Sequence, residues 1–201
     1  MVKIRESSNS LPAVVEIGQT EHYKKVLISN FDESMFFNFM SKEKYIAIQQ
    51  EIESYGFTIV AKDFERPWGA FLVIKEEEAQ DFANRFFNGL DVDTLRIKGK
   101  LSPKMLIVKP GARLSWQYHH RRAEIWQVYQ GEVGIIRSDD DTEGELIKLK
   151  KGEQVKLAQG ERHRLIGLVD YGIVAEIWQH TDSIPSDEED IVRVQDDFKR
   201  T

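Results

Sequence analysis

The chain has no cysteine in 201 residues. That excludes a disulfide framework, a thiolate metal site and a cysteine nucleophile, and it fits a reducing compartment. Long apolar runs are missing as well. Residues 1–18 lack the apolar core of a secretory signal, and no later stretch approaches the ~20 residues that span a bilayer. No membrane partner is therefore expected, and the simplest placement is cytoplasmic. Nor is there an excess of positive charge. Lys and Arg number 28 against 34 Asp and Glu, a net charge of −6, which argues against nucleic-acid binding. There is no internal repeat and no low-complexity linker, so the length suits one domain with an extension.

What charge there is lies unevenly. Between Lys104 and Arg122 stand Lys104, Lys109, Arg113, Arg121 and Arg122 with no acid among them, whereas Thr181 to Asp190 holds acids and no base. The basic island suits a small anionic ligand such as a phosphate ester. The plainer alternative is that these arginines pair with surface acids. The acidic run at Asp187–Asp190 reads as solvated surface, and Asp139–Asp141 as a hairpin tip.

Two textures divide the chain. Tyr23–Ser29 reads as a strand. A helix is expected from a Ser41 cap to Tyr55, stopped by Gly56, with Tyr45, Ile46, Ile48, Ile52 and Tyr55 on its apolar face. Strands at Phe57–Val60 and Ala70–Ile74 and a helix at Glu76–Asn88 follow. Beyond Thr94, short strand-like runs recur between turn signals such as Pro110-Gly111, Gly131, Lys151-Gly152, Gln159-Gly160 and Asp170-Tyr171-Gly172, a pattern that predicts a sandwich or barrel. The expected organisation is an N-terminal α/β extension, residues 1–63, packed outside a mainly β barrel of residues 64–201.

The chemistry concentrates at Gln117-Tyr118-His119-His120-Arg121-Arg122-Ala123-Glu124 and at Gly160-Glu161-Arg162-His163. Gln117 and His119 are two apart and leave the same face of a strand. In Ala112–His119 the odd residues Arg113, Ser115, Gln117 and His119 are polar and the even ones apolar, as in a barrel that lines its cavity with the odd set. Glu124 lies beyond a corner, and His163 opens the apolar run that follows Gly160. Two imidazoles, a carboxylate and an amide oxygen can converge on one divalent cation and leave positions for substrate. A single histidine reads more readily as a packed or surface residue. The joint spacing is what makes the pattern specific. Nitrogen and oxygen ligands suit zinc first, and manganese, cobalt, nickel or iron as well.

These stretches resemble the paired motifs of cupins, double-stranded β-helix (jelly-roll) barrels, and more narrowly the cupin domain of type II phosphomannose isomerases. The resemblance rests on Arg66-Pro67-Trp68-Gly69, Lys109-Pro110-Gly111, Gln117 to Trp126, His163-Arg164 and Asp190-Ile191-Val192-Arg193. It departs at Ala158, where cupins usually carry proline, and at Gly167, where many carry asparagine. Arg121 and Ile125 stand where the isomerases have histidines.

The resemblance implies a metal-dependent conversion of mannose 6-phosphate to fructose 6-phosphate, with a small phosphorylated sugar as partner and a homodimer as assembly. In that reaction Arg122 can hold the enediolate or the phosphate, and Glu176 is the candidate proton-transfer base. Its plainer reading is an exposed strand glutamate. Arg66 and Arg113 are further candidates for the phosphate. Trp116, Trp126 and Trp178 read as barrel core, and Trp68 as a sugar platform or a turn anchor. Two other functions fit a cupin: a non-catalytic sugar-binding or regulatory module, and an iron-dependent oxygenase. The glutamine ligand and the Arg-Pro-Trp-Gly stretch favour the isomerase over the oxygenase.

Overall fold

The computed structural model describes residues 3–5, 13–17, 24–28, 33–97 and 99–199, with side chains from Phe37 onward except at residue 98. The chain forms two compact units, residues 1–44 and 45–201. In the first, β1 (Lys3–Arg5), β2 (Ala13–Ile17) and β3 (Lys24–Ile28) pair antiparallel in that order. β3 falls within the strand expected at Tyr23–Ser29, whose end residues lie outside the described ones.

α1 (Glu33–Ser54) begins well before the expected Ser41 cap. Nothing between Glu33 and Ser41 breaks a helix, since there is neither glycine nor proline. Ser41 is therefore an interior helical residue, 6% exposed. The helix stops where expected, at Gly56, whose φ of +93° suits glycine and whose N–H returns to Glu53 O at 2.9 Å. Tyr45, Ile48 and Ile52 are buried, but Ile46 and Tyr55 are exposed. The apolar stripe is thus narrower than the sequence suggests.

The second unit continues through β4 (Ile59–Asp63), β5 (Gly69–Ile74), a short 3-10 turn, α2 (Ala79–Phe86) and α3 (Val92–Leu95). Then come β6 (Lys104–Val108), β7 (Trp116–His119), β8 (Arg122–Gln130), β9 (Glu132–Ser138) and β10 (Ile147–Lys150). The chain closes with β11 (Gln154–Leu157), β12 (Arg162–Gly167), β13 (Gly172–His180) and β14 (Ile191–Gln195). One sheet runs β11-β8-β13-β6-β5-β4 and the other β10-β9-β12-β7-β14. From β7 onward the chain steps repeatedly between the two sheets: β7, β9, β10, β12 and β14 lie in one, β8, β11 and β13 in the other. This is the expected mainly β jelly-roll barrel. The six-stranded sheet already includes β4, so it starts ahead of residue 64.

The inner strands β8, β13, β6 and β5 of the six-stranded sheet are buried on both faces, and that explains their near-continuous apolar runs, whereas its edge strands β4 and β11 are largely exposed. Leu106, Val108, Trp126, Val128 and Val174 pack inward against Val133, Ile135 and Leu165 of the other sheet. Met105, Ile107, Ile125, Ile173, Ala175 and Ile177 face outward onto Tyr45, Ile48, Ile52, Phe82, Phe86 and Phe87 of the helical segments. Inside the barrel, polar residues gather at one end and make the site.

Candidate metal centre

β7 and β12 are neighbours, and Gln117 faces His163 in register. Gly160 makes this possible. Its φ of +79° turns the chain from β11 into β12, and its N–H is tied to His119 O at 2.9 Å. Glu161 is 8% exposed, pairs with Arg137 and accepts from Ala158 N at 2.8 Å, which closes the same turn. Glu124 comes from β8 in the opposite sheet, so the site bridges the two layers. Gly167 is required by close approach: a Cβ there would lie 1.9 Å from Lys109 O.

His119, Glu124 and His163 are each 1–2% exposed, and their ligand atoms all lie within 4.8 Å of one another. His119 Nε2 is 3.1 Å from Glu124 Oε1, and His163 Nε2 is 3.5 Å from Glu124 Oε2. His163 Nδ1 donates to Glu161 O at 2.9 Å, which leaves the Nε2 lone pair directed at the cluster. Both His163 Nε2 and Glu124 Oε2 are buried without a hydrogen-bond partner. Orphaned acceptors converging in a sealed space are what a divalent cation would satisfy, and the donor set fits one.

The electrostatics agree. Burial pulls His163 down to about 4, so it is neutral at ordinary pH, as a ligand must be. Burial alone would raise Glu124, but His119 and Arg122 beside it hold it well below the usual carboxylate range. Gln117 is 9% exposed with its Nε2 3.5 Å from His119 Nε2, while its Oε1 accepts from Ser115 at 2.5 Å.

Arg122 is 2% exposed and wraps the cluster. Its Nε donates to Glu124 Oε1 at 2.7 Å, one terminal nitrogen lies 3.1 Å from His119 Nε2, and the other donates to Ser186 Oγ at 2.7 Å. Ser186 donates in turn to Asp190 Oδ2 at 2.6 Å. Asp190 is 5% exposed and also accepts from the Arg121 N–H at 3.0 Å. The acidic run expected as solvated surface therefore ends in a buried structural carboxylate, while Asp139–Asp141 are exposed at the tip between β9 and β10 as expected.

The cavity beside the cluster is lined by Gln117, Arg122, Glu124, Glu176, Lys104, Arg66 and Arg193, among others. Glu176 is buried, which removes its reading as an exposed glutamate; it accepts from Trp126 Nε1 at 2.9 Å, and burial raises it to about 8. Arg66 is at the cavity wall, paired with Asp63 at 2.8 Å. Arg113 is not brought there. It pairs with Asp197 at 2.5 Å and lines no part of this cavity, because regular strand starts only at Trp116 and the alternation counted from Ala112 does not hold. Leu114, an even residue, lines the cavity instead.

Arg121 pairs with Asp187 and Asp190, and Ile125 packs in the outer core. The two positions that lack the isomerases' histidines thus lie off the cavity. Trp116, Trp126 and Trp178 are buried as expected, and Trp68, 5% exposed, is on the wall. Lys104 and Arg193 are cavity residues that sequence reasoning did not single out for the site. Only the Asp-Ile-Val-Arg stretch pointed to the second.

The family described as "Mannose-6-phosphate isomerase C-terminal" matches residues 89–196. The xanthan biosynthesis protein XanB of Xanthomonas campestris pv. campestris is 31% identical over 136 residues, 68% of this chain and 23% of that protein. The alginate biosynthesis protein AlgA of Pseudomonas aeruginosa is 30% identical over 136 residues, 68% of this chain and 22% of that protein. The chain thus spans under a quarter of the length of these relatives. Among solved structures, oxalate decarboxylase from Bacillus subtilis is similar at a TM-score of 0.48 and 14% identity, covering 66% of this chain and 29% of that one. The capsular polysaccharide assembling protein CapF from Staphylococcus aureus is similar at a TM-score of 0.45 and 15% identity, covering 68% and 34%.

Proposed function

We propose, for a chain that belongs to the mannose-6-phosphate isomerase C-terminal family, that it is a metal-dependent aldose–ketose isomerase of sugar phosphates. Mannose 6-phosphate with fructose 6-phosphate is the first pair to consider. The observation that carries this is one cavity whose wall holds both Glu124 of the buried His119–Glu124–His163 cluster and a second buried carboxyl, Glu176, raised by burial to about 8.

His119, Glu124 and His163 would hold the ion, zinc first among the divalent metals. Gln117 is the fourth ligand in this reading. Its amide has to turn over to offer oxygen, and its NH2 then reaches Ser115. A bound ion would supply Lewis-acid stabilisation of the charge that develops on two adjacent sugar oxygens. Glu176 takes the hydrogen from the carbon beside the aldehyde and returns it to the neighbouring carbon, a role suited to a carboxyl tuned close to working pH. Arg122 presents its guanidinium to a substrate oxygen, using the arm now directed at His119.

The cavity wall carries four cations, Arg66, Lys104, Arg122 and Arg193, against three carboxylates, Glu124, Glu176 and Glu188, before any metal is counted. That balance favours an anionic substrate, with Arg66 and Arg193 toward the phosphate. A homodimer and a cytoplasmic setting belong to the same reading. Among the described residues no helix is long and apolar enough to cross a membrane.

Metal-reconstituted protein incubated with mannose 6-phosphate in heavy water is expected to yield fructose 6-phosphate and to introduce deuterium at the reacting carbon, followed by NMR. Thermal stabilisation by the sugar phosphate with neither conversion nor exchange would make the protein a binding module instead.

A further inference from the structure

Lys104 is a buried cation with no carboxylate paired to it among the described residues. It stands on β6 opposite Glu176 of β13 and is 8% exposed. Its Nζ lies 3.2 Å over the Trp178 ring and 5.9 Å from the Phe71 ring centre. Among the described residues it makes no hydrogen bond and no ion pair, so its ammonium is held by the aromatic faces and the cavities. Burying most of a cation costs free energy, so its place on a cavity wall points to a use. It faces the metal cavity and also a second cavity, which shares Lys104, Trp178 and Glu188 with the first.

On the isomerase reading, one proton transfer has no agent so far. Glu176 can move hydrogen between the two carbons, but the hydroxyl oxygen must also lose its proton and the carbonyl oxygen must gain one. Three of the four cavity cations are guanidiniums, which do not give up a proton in proteins. We infer that Lys104 is the acid–base catalyst that carries this second proton from the hydroxyl oxygen to the carbonyl oxygen. Glu176 first removes the carbon-bound hydrogen, and the ammonium donates to the former carbonyl oxygen of the resulting enediolate. The amine then takes the proton of the neighbouring hydroxyl as that oxygen becomes the new carbonyl and Glu176 returns hydrogen to the other carbon. Both side chains end as they began. Burial, which lowers Lys104 to about 8, makes the amine accessible at ordinary pH.

The inference rests on the isomerase reading, and its test separates the two. Metal content, thermal unfolding, net conversion of mannose 6-phosphate and deuterium exchange at its carbon 2 are measured for the wild type, Lys104→Met and Lys104→Arg. Met removes a buried charge at similar side-chain volume and should fold; Arg keeps the charge but cannot shuttle a proton. Both variants are expected to lose about 10²- to 10⁴-fold in net conversion while exchange at carbon 2 continues. Lys104→Arg should restore KM without restoring kcat. Wild-type conversion in Lys104→Met, recovery of kcat in Lys104→Arg, or loss of exchange in step with conversion overturns the inference alone. A wild type that neither converts nor exchanges overturns the isomerase reading, and the inference falls with it.

Discussion

Two neighbouring groups of buried charge in the barrel behave in opposite ways. In the His119–Glu124–His163 cluster, Glu124 is in contact with His119 and Arg122 and stays ionised despite complete burial. On the same cavity wall, Glu176 and Lys104 face one another across neighbouring strands without an ion pair between them, and burial shifts both toward neutrality, each to about 8. A ligand cluster needs its carboxylate permanently charged, whereas proton transfer needs groups that change charge cheaply. One fold supplies both environments by varying how closely the opposite charges approach.

Substitutions can break this contrast, and the largest effect should come from Glu176, the proposed proton-transfer base. Glu176→Gln is expected to lower turnover by about 10²- to 10⁴-fold while elemental analysis finds metal content unchanged. On the proposed mechanism Glu176 and Lys104 together should set the pH profile. Glu176 must be ionised, so kcat/KM should rise as pH climbs toward 8; Lys104 must begin protonated, so it should fall above that. The two groups, with Arg122, Glu124 and Glu188 around them, titrate as a pair and give one bell. Lys104→Met should lack the falling limb. A wild-type profile flat between pH 6 and 9 would detach these groups from the rate.

A smaller effect is expected from Arg122, which touches Glu124 and His119. Arg122→Lys keeps the charge beside Glu124 and loses the fork that reaches His119 and Ser186. Turnover should fall by about 3 kcal/mol in transition-state terms, about a hundredfold, with metal retained. If metal is lost in proportion to activity, Arg122 is part of the ligand scaffold and has no separate role in turnover.

The His119–Glu124–His163 cluster was legible in the sequence because its logic is local. Gln117 and His119 share a strand face, Glu124 follows one corner later, and Gly160 marks the turn that brings His163 across. The Glu176–Lys104 pair depends on pairing between distant segments, Lys104 against Glu176 across 72 residues and Glu176 against Trp126 across 50. No spacing rule reveals that register. Lys104 therefore read only as one member of a basic island. The island itself divides in space: Lys104 and Arg122 turn into the cavity, while Arg113 and Arg121 take the plainer course and pair with Asp197, Asp187 and Asp190. Asp190 was misread because a charge run suggests solvent until the hydrogen bonds from Ser186 and the Arg121 N–H are seen. Of the fold, the barrel followed from short strands and turn signals, and the stop of α1 followed from Gly56. Its start did not, because a lone serine caps a helix only where the preceding residues leave it.

The central claim, a divalent metal centre built by His119, Glu124 and His163, is tested most directly by elemental analysis of protein purified without chelator. The wild type should carry close to one divalent metal per chain, and His119→Ala combined with His163→Ala, checked for retained fold by circular dichroism, should carry almost none. Full metal retention in the double variant would contradict the assignment.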